Sequence, residues 1–462
     1  MDFKCDRFSI LPQELVILII SFLPLVDAFR LCLLRKDWLW FQLWKHCRSI
    51  ELHETTFTNV GPGVPARHLK TTRKRKFVDI LNRTVPRIMS PALSKLSFQM
   101  GYSKKYQNNI NLCLVIALWK NVEELSLDFS DKDSSRAMPV WNKAQYALPE
   151  FFYRAGKSIR VLSLKSCSLG FCNFKSFLRL KSLSLTRIGI SIVEMTTILI
   201  TSCPVLDTLN LVECYQLTKL VICSTLLGLR RLVVSNCESL SLGIELCLPR
   251  LEYFEYVGGL VRFSTSQLDD LKEVVLDFQL DTRYLYRSEE ITEFFSGFSQ
   301  ARIFTVCVSA LKVFPNEYLS EEPLLPLIHV EHFTLKTRMN RYELYAILCL
   351  LKSAPRMKLL SISSDFLRPL NDFAHYGCPE LPEGFWVTEG WTLNHLKWVD
   401  VDGFTGKKYE VEFLKFLLRN SRMLCELAIT PHIQGKRSLY SQAFADLQNE
   451  ERASTCVIIK YR

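Results

Sequence analysis

Between Leu11 and Trp44 the chain is apolar on almost every side of any helix it could form. Leu11, Leu15, Leu18, Ile19 and Phe22 recur at spacings of three and four, the period of an amphipathic helix. Leu11-Pro12 suits its first turn, because proline fixes φ and lacks only a donor that goes unused there. Pro24 ends the run. Asp27 then caps a second helix carrying Phe29, Leu31, Leu33 and Leu34, and a third carries Trp38, Trp40, Phe41 and Trp44. Val16, Ile17 and Ile20 lie off the main stripe, so the first helix predicts burial on more than one side. Three helices in so short a stretch cannot bury enough surface alone. The pattern predicts a small bundle with one face left for a partner.

After a loop over 51–66, marked by Gly61-Pro62-Gly63-Val64-Pro65, a basic run reads as a solvated loop entering a helix over Phe77–Leu81. From residue 93 one pattern keeps returning: an apolar residue, two variable ones, then apolar–variable–apolar. It reads Leu93/Leu96/Phe98, Val122/Leu125/Leu127, Ile159/Leu162/Leu164, Leu180/Leu183/Leu185, Leu206/Leu209/Leu211, Leu229/Leu232/Val234, Leu251/Phe254/Tyr256 and Leu271/Val274/Leu276. Weaker copies follow at Ala301/Phe304/Val306, Val330/Phe333/Leu335, Met357/Leu360/Ile362, Leu396/Val399/Val401 and Leu424/Leu427/Ile429. Central positions lie between 20 (Phe254 to Val274) and 39 (Leu360 to Val399) residues apart. The alternating pair predicts a short strand with one face inward, and helical returns read at Glu194–Ser202 and Tyr342–Ser353, each before a proline. One such unit cannot bury its own face, but stacked units can. The signature is that of an irregular leucine-rich-repeat solenoid. Cys167, Cys214 and Cys237 occupy the small turn position after three of the strands, where a thiol packs beneath the turn.

Two further stretches carry resemblances. Leu11-Pro12, Glu14-Leu15, Ser21, Leu23-Pro24, Asp27, Arg30, Trp38 and Trp44 resemble the F-box, departing where many plant relatives read Ser-Lys-Arg-Trp and this chain has Arg35-Lys36-Asp37-Trp38. His395-Leu396-Lys397, Val399, Gly403-Phe404, Gly406, Glu410, Glu412, Phe416-Leu417-Leu418, Leu424 and Ile429 resemble the FBD domain, read physically as strand, Gly-Phe turn, helix over Val411–Leu418, strand. The resemblance is to the plant F-box/FBD/leucine-rich-repeat family. It implies an α/β chain with an F-box at 8–50, a linker with the basic run and a helix at 51–90, a solenoid at 91–385, an FBD-like domain at 386–431 and a polar tail at 432–462 ending in the strand-like Thr455–Ile459.

Composition narrows the chemistry. With 48% apolar and 23% charged residues, the chain is of a globular class. Its 16 cysteines contain no C-x-x-C pair, the closest being Cys167 and Cys172, and they read as reduced, buried hydrophobes. The net charge of +11 is uneven along the chain, and Arg67, Lys70, Arg73, Lys74, Arg75 and Lys76 fall inside ten residues. That run permits nuclear targeting or an anionic contact, but lacks the interleaved aromatics of a nucleic-acid stacking surface. The apolar stretch Leu15–Leu25 is too short to span a bilayer.

No G-x-G-x-x-G, Walker, G-x-S-x-G or H-E-x-x-H motif occurs. Of eight histidines only His329 and His332 stand close together, and they read as solvent-facing. No catalytic group, cofactor or metal ligand set is expected.

The family resemblance implies a substrate receptor of a Skp–cullin–F-box ubiquitin ligase in the nucleus, the cytoplasm or both. Leu11, Pro12, Leu15, Ile19, Leu23, Pro24 and Trp38 would meet the Skp-type adaptor, and the solenoid would hold a protein substrate. Two alternatives accompany it: a small-ligand receptor of the plant-hormone-receptor kind, and an interaction scaffold without a ligase.

Overall fold

A computed structural model describes residues 11–34, 36, 38, 42–57, 66–131, 145–170, 174–198, 203–259, 261–279, 295–307, 327–337, 339, 341–363, 385–386, 392–432 and 437–462. Trp40, Phe41, Cys172, His375, Glu289-Glu290 and most of 364–391 lie outside them. The chain divides into two compact units. The first runs from Met1 to Thr218 with Leu226–Leu229 and Cys237–Leu240, and the second holds Lys219–Thr225, Arg230–Asn236 and Ser241–Arg462.

In the first unit, helices Gln13–Phe22 and Leu25–Cys32 and the 3₁₀ turn Leu43–His46 precede strand β1, Ser49–His53. Strands β2 (Lys95–Gln99), β3 (Glu124–Asp128), β5 (Val161–Lys165), β7 (Ser182–Thr186) and β8 (Thr208–Val212) follow β1 in one parallel sheet, each in register with the last. Short strands β4 (Tyr146–Ala147) and β6 (Cys167–Ser168) pair separately. Helix Gln107–Trp119 packs Ile110, Cys113, Leu114 and Ala117 into the core.

In the second unit, β10 (Arg231–Ser235), β12 (Tyr253–Gly259), β14 (Glu273–Gln279), β15 (Ile303–Cys307), β16 (His332–Lys336), β17 (Leu359–Ser363), β18 (Trp398–Phe404), β19 (Glu426–Pro431) and β20 (Ile458–Tyr461) form a second parallel ladder. A smaller parallel sheet is built from β9 (Lys219–Cys223), β11 (Gly243–Cys247) and β13 (Phe263–Ser266).

Every triplet read from the repeat pattern is buried, and each lies on or just before one of these strands. The alternation x-Leu-x-Leu-x puts two side chains per strand inward, and parallel register stacks them on the equivalent pair of the next strand. In the second unit the inward aromatics close the core from both sides. Phe254 of β12 stacks on Phe298 at 5.6 Å and meets Phe263 of the small sheet at 6.1 Å.

Several expectations need correction. The basic run is not a loop: residues Ala66–Thr84 form one helix. It contains no glycine or proline, its Lys and Arg favour helix, and Phe77, Val78 and Leu81 anchor one side in the core. The start of the stretch 51–66 belongs to β1, whose Ile50 and Leu52 alternate inward, and to a helical turn at Glu54–Phe57, while Gly61-Pro62-Gly63-Val64-Pro65 lies outside the described residues. The return helix expected at Glu194–Ser202 starts earlier, at Ile192, set by the reciprocal hydrogen bonds of Ser191 and Glu194, and residues 199–202 lie outside the described ones. Helix Arg341–Ser353 agrees with the reading to one residue. In the FBD-like stretch, strand, helix Lys408–Asn420 and strand occur in the order read. The polar tail is a further repeat unit: helix Arg437–Gln448 buries Tyr440, Ala443 and Leu447, and β20 adds to β19.

Strand-to-helix turns carry a recurrent device. Glu410, buried at the start of its helix, accepts from the Thr405 and Lys407 backbone N–H groups and the Thr405 hydroxyl. Glu343, likewise buried, accepts from the Thr337 hydroxyl at 2.7 Å. A carboxylate thus satisfies turn donors that would otherwise be stranded in the core.

Phe254→Ala is expected to lower stability by about 3–5 kcal/mol, read as a fall in the urea midpoint. Gly243 has φ +111° and its added Cβ would sit 2.6 Å from the Arg262 carbonyl oxygen. Gly243→Ala should therefore cost about 1–3 kcal/mol. Gly259→Ala, with no atom within 4 Å of the new Cβ, should stay within about 0.5 kcal/mol of the parent in the same titration.

Candidate docking surfaces

The two N-terminal helices bury the side that the sequence stripe did not mark. Val16 and Ile20 point inward at 1% and 0% exposure, with Leu25, Ala28 and Cys32 from the second helix and Leu43 and Trp44 from the 3₁₀ turn. That leaves the stripe itself outside, where Leu15, Leu18 and Phe22 are 45%, 49% and 73% exposed. Phe29, Leu33 and Leu34 of the second helix and its C-terminal end are exposed as well. The inversion follows from the helix being apolar all round: spacing shows that a face exists, not which of two faces is inward.

Among the residues singled out, Pro12, Leu15 and Pro24 are exposed and Leu11, Ile19 and Leu23 are half-buried. Pro12 opens the first helix, its carbonyl accepting from Leu15 and Val16 at 3.0 and 3.2 Å. Pro24 bridges to Ser49 at the edge of the first sheet. Trp38 stands apart from the rest: at 6% exposure it is a core residue. Leu18, Phe22, Phe29, Leu33 and Leu34 belong to the exposed face without having been named as contact residues. Their signal was present in the same i, i+3, i+4 spacing.

The outward strand positions form a second surface. In the first unit Ser97, Ser126, Ser163, Ser184 and Asn210 lie in register across β2, β3, β5, β7 and β8. In the second, Ile303, His332, Leu359 and Trp398 are register neighbours, with Trp398 45% exposed. Arg302, Glu331, Lys358 and Lys397 immediately precede those four residues. Lys358 pairs with Glu331 at 2.8 Å, and the Lys397 ammonium lies 5.8 Å from the Trp398 ring centre. Further along the face the Arg231 guanidinium stacks 3.6 Å over Tyr253, whose hydroxyl donates to Glu255. Burial, then that carboxylate, push the Tyr253 phenol up to about 12.

The remaining groups with chemical potential have structural places. Cys214 and Cys237 donate weakly to the Leu185 and Leu211 carbonyls, beneath the turns. Burial pushes the Cys167 thiol up to about 12, away from the thiolate a nucleophile needs. His332 is exposed and His329 half-buried, while Glu123-Glu124 and Asp269-Asp270 are exposed. In the basic helix Lys70 and Lys74 turn to Asp131, leaving Arg75 and Lys76 exposed. Among the described residues no cluster of three or more His, Cys, Asp or Glu is placed to hold a metal, and no helix is long and apolar enough to cross a membrane.

Comparison with known proteins agrees with this architecture. Residues 92–459 match the family model described as the At1g61320/AtMIF1 LRR domain. The chain is 26% identical to F-box protein At3g62230 of Arabidopsis thaliana over 91% of its length and 90% of the relative's. It is 26% identical to the putative F-box/LRR-repeat protein At1g56400 of the same plant, over 90% and 87%. It is 24% identical to the putative F-box/FBD/LRR-repeat protein At4g03220, also from A. thaliana, over 95% and 92%. The family match begins at the first stacked triplet and runs into the last strand, so the C-terminal tail lies within it. The chain therefore belongs to the plant F-box/FBD/leucine-rich-repeat family, with residues 92–459 forming its leucine-rich-repeat domain.

Proposed function

We propose that this chain is the substrate-recognition subunit of a Skp–cullin–F-box ubiquitin ligase, with residues 8–50 as the adaptor-docking module and the outward strand face as the substrate surface. The observation that carries the reading is the uncovered apolar face of Leu15, Leu18, Phe22, Phe29, Leu33 and Leu34. So many large exposed apolar side chains on two successive helices suit a protein-binding site, and they fall within the stretch that resembles the F-box. Leu11, Pro12, Ile19, Leu23 and Pro24 contribute at its margin, and Trp38 supports it from beneath. Catalysis then belongs to a ubiquitin-conjugating enzyme, and this chain supplies proximity. The relatives' names describe F-box and repeat proteins, in keeping with a non-catalytic role. The outward face of β15–β18 mixes Ile303, Leu359 and Trp398 with paired charges, the composition of a protein-contact surface. Nucleus, cytoplasm or both are the proposed locations, with the exposed Arg75 and Lys76 of the basic helix as the targeting element.

Phe22→Ala is expected to weaken binding to a purified Skp-type adaptor by roughly 10- to 100-fold, about 1–3 kcal/mol, without changing the circular dichroism of the chain. Trp38→Ala should instead lower thermal stability, by about 3–5 kcal/mol, as a core truncation does. Unchanged adaptor affinity in a folded Phe22→Ala variant overturns the docking assignment.

Adaptor affinity should vary little between about 50 and 200 mM salt, a range over which a protein making 6–10 phosphate contacts loses about 10³–10⁵ in affinity. The double change Arg75→Ala/Lys76→Ala should leave that affinity intact. Steep loss with salt, abolished by this double change, supports an anionic partner for the basic helix instead.

A further inference from the structure

Most cysteines in the described residues are buried among apolar side chains, but two face each other at the surface of the small sheet. Cys223 ends β9 and Cys247 ends β11, and the parallel register makes them direct partners. Register partners on neighbouring strands point to the same face. That face is outward, because Leu220, Ile222, Ile244 and Leu246 occupy the buried alternate positions. Cys223 is exposed and Cys247 half-exposed, and both are free thiols. The Cys247 thiol donates to the Gln267 side-chain oxygen at 3.1 Å. Two residues back on the same face, Glu245 of β11 pairs with Lys219 of β9.

We propose that Cys223 and Cys247 form an oxidant-responsive dithiol that closes to a disulfide. Neighbouring strands lie about 4.8 Å apart, within the roughly 4.4–6.8 Å that separates disulfide-linked Cα atoms. The Cβ atoms of parallel partners are spaced much as the strands are, slightly wider than the roughly 3.5–4.5 Å of a relaxed disulfide. Closure therefore draws the two strand ends together and leaves a strained, accessible bond, the kind that thiols reduce readily. The bond would close a loop from 223 to 247 that contains β10 and would hold two successive turns of the second unit together at their backs.

The oxidant is hydrogen peroxide. One thiolate attacks a peroxide oxygen, the O–O bond breaks, and the departing hydroxide takes up a proton to become water, leaving a sulfenic acid. The second thiolate attacks that sulfur, the S–O bond breaks, a second water leaves, and the S–S bond forms. Two thiols give up two electrons and two protons in total, and one peroxide becomes two waters. Burial of its sulfur first, then the neighbouring Cys247 and Glu245, raise the Cys223 pKa, with Lys219 opposing them.

The test treats the reduced full-length chain with hydrogen peroxide, alkylates the remaining thiols and maps peptides by mass spectrometry. The expected result is a linked peptide joining 223 to 247, lighter by two hydrogens, that dithiothreitol reverses. A Cys223→Ser chain, its fold checked by circular dichroism, should instead leave Cys247 open to alkylation or to sulfenic-acid trapping by dimedone. Cys425 and Cys456, also exposed but one residue out of register, serve as internal controls, and Cys425→Ser should leave the 223–247 link intact. Separate alkylation of Cys223 and Cys247 after peroxide, their over-oxidation without a link, or a link through Cys425 or Cys456 in their place overturns the proposal.

Discussion

Everything in both units depends on one constraint: the inward pair of each strand must lie against the inward pair of the next. A single repeat exposes as much apolar surface as it covers, so no strand here is stable without its neighbours. Parallel, in-register pairing meets the constraint, because it stacks Leu96 on Leu125 and Phe98 on Leu127, and does the same at each later rung. A slip of one residue would turn every leucine outward, so the hydrophobic pattern enforces the register. The return segments are freer. They are helices in some repeats and the strands β9, β11 and β13 in others, provided each presents apolar side chains to the same core.

That freedom explains what could and could not be read beforehand. The repeat triplets were legible because their spacing is fixed by strand geometry, and all proved buried. The second sheet was missed because its alternation, Leu220/Ile222 and Ile244/Leu246, falls between the repeat triplets: the first has the leading Leu217 but follows Leu209/Leu211 too closely to read as a new repeat, and the second has Ser241 in the leading place. The basic helix was misread because charge suggested solvent, while Phe77, Val78 and Leu81 were already spaced to bury one side of a helix. The tail was judged by its polarity, although Tyr440, Ala443 and Leu447 carry a helical stripe.

At the N-terminal helices the limit is different in kind. A helix that is apolar all round has two faces with equal claim to the core, and only packing decides between them. Here Val16, Ile20, Leu25, Ala28 and Cys32 turn inward with Leu43 and Trp44, while Leu15, Leu18, Phe22 and Phe29 remain outside. Trp38 is buried too, although it follows the charged stretch Arg35-Lys36-Asp37 in sequence.

The buried carboxylates at the strand-to-helix turns set a condition on how this architecture can diverge. Outward strand positions can change freely, since they answer only to a partner, and return segments can lengthen without disturbing a rung. Glu410 answers to the Thr405 and Lys407 backbone N–H groups and Glu343 to the Thr337 hydroxyl, so a lineage that replaces either must also rebuild the turn it serves. Binding specificity and turn architecture are thus carried by separate residues of the same repeat, and the surface can drift toward new substrates while the frame beneath it stays put.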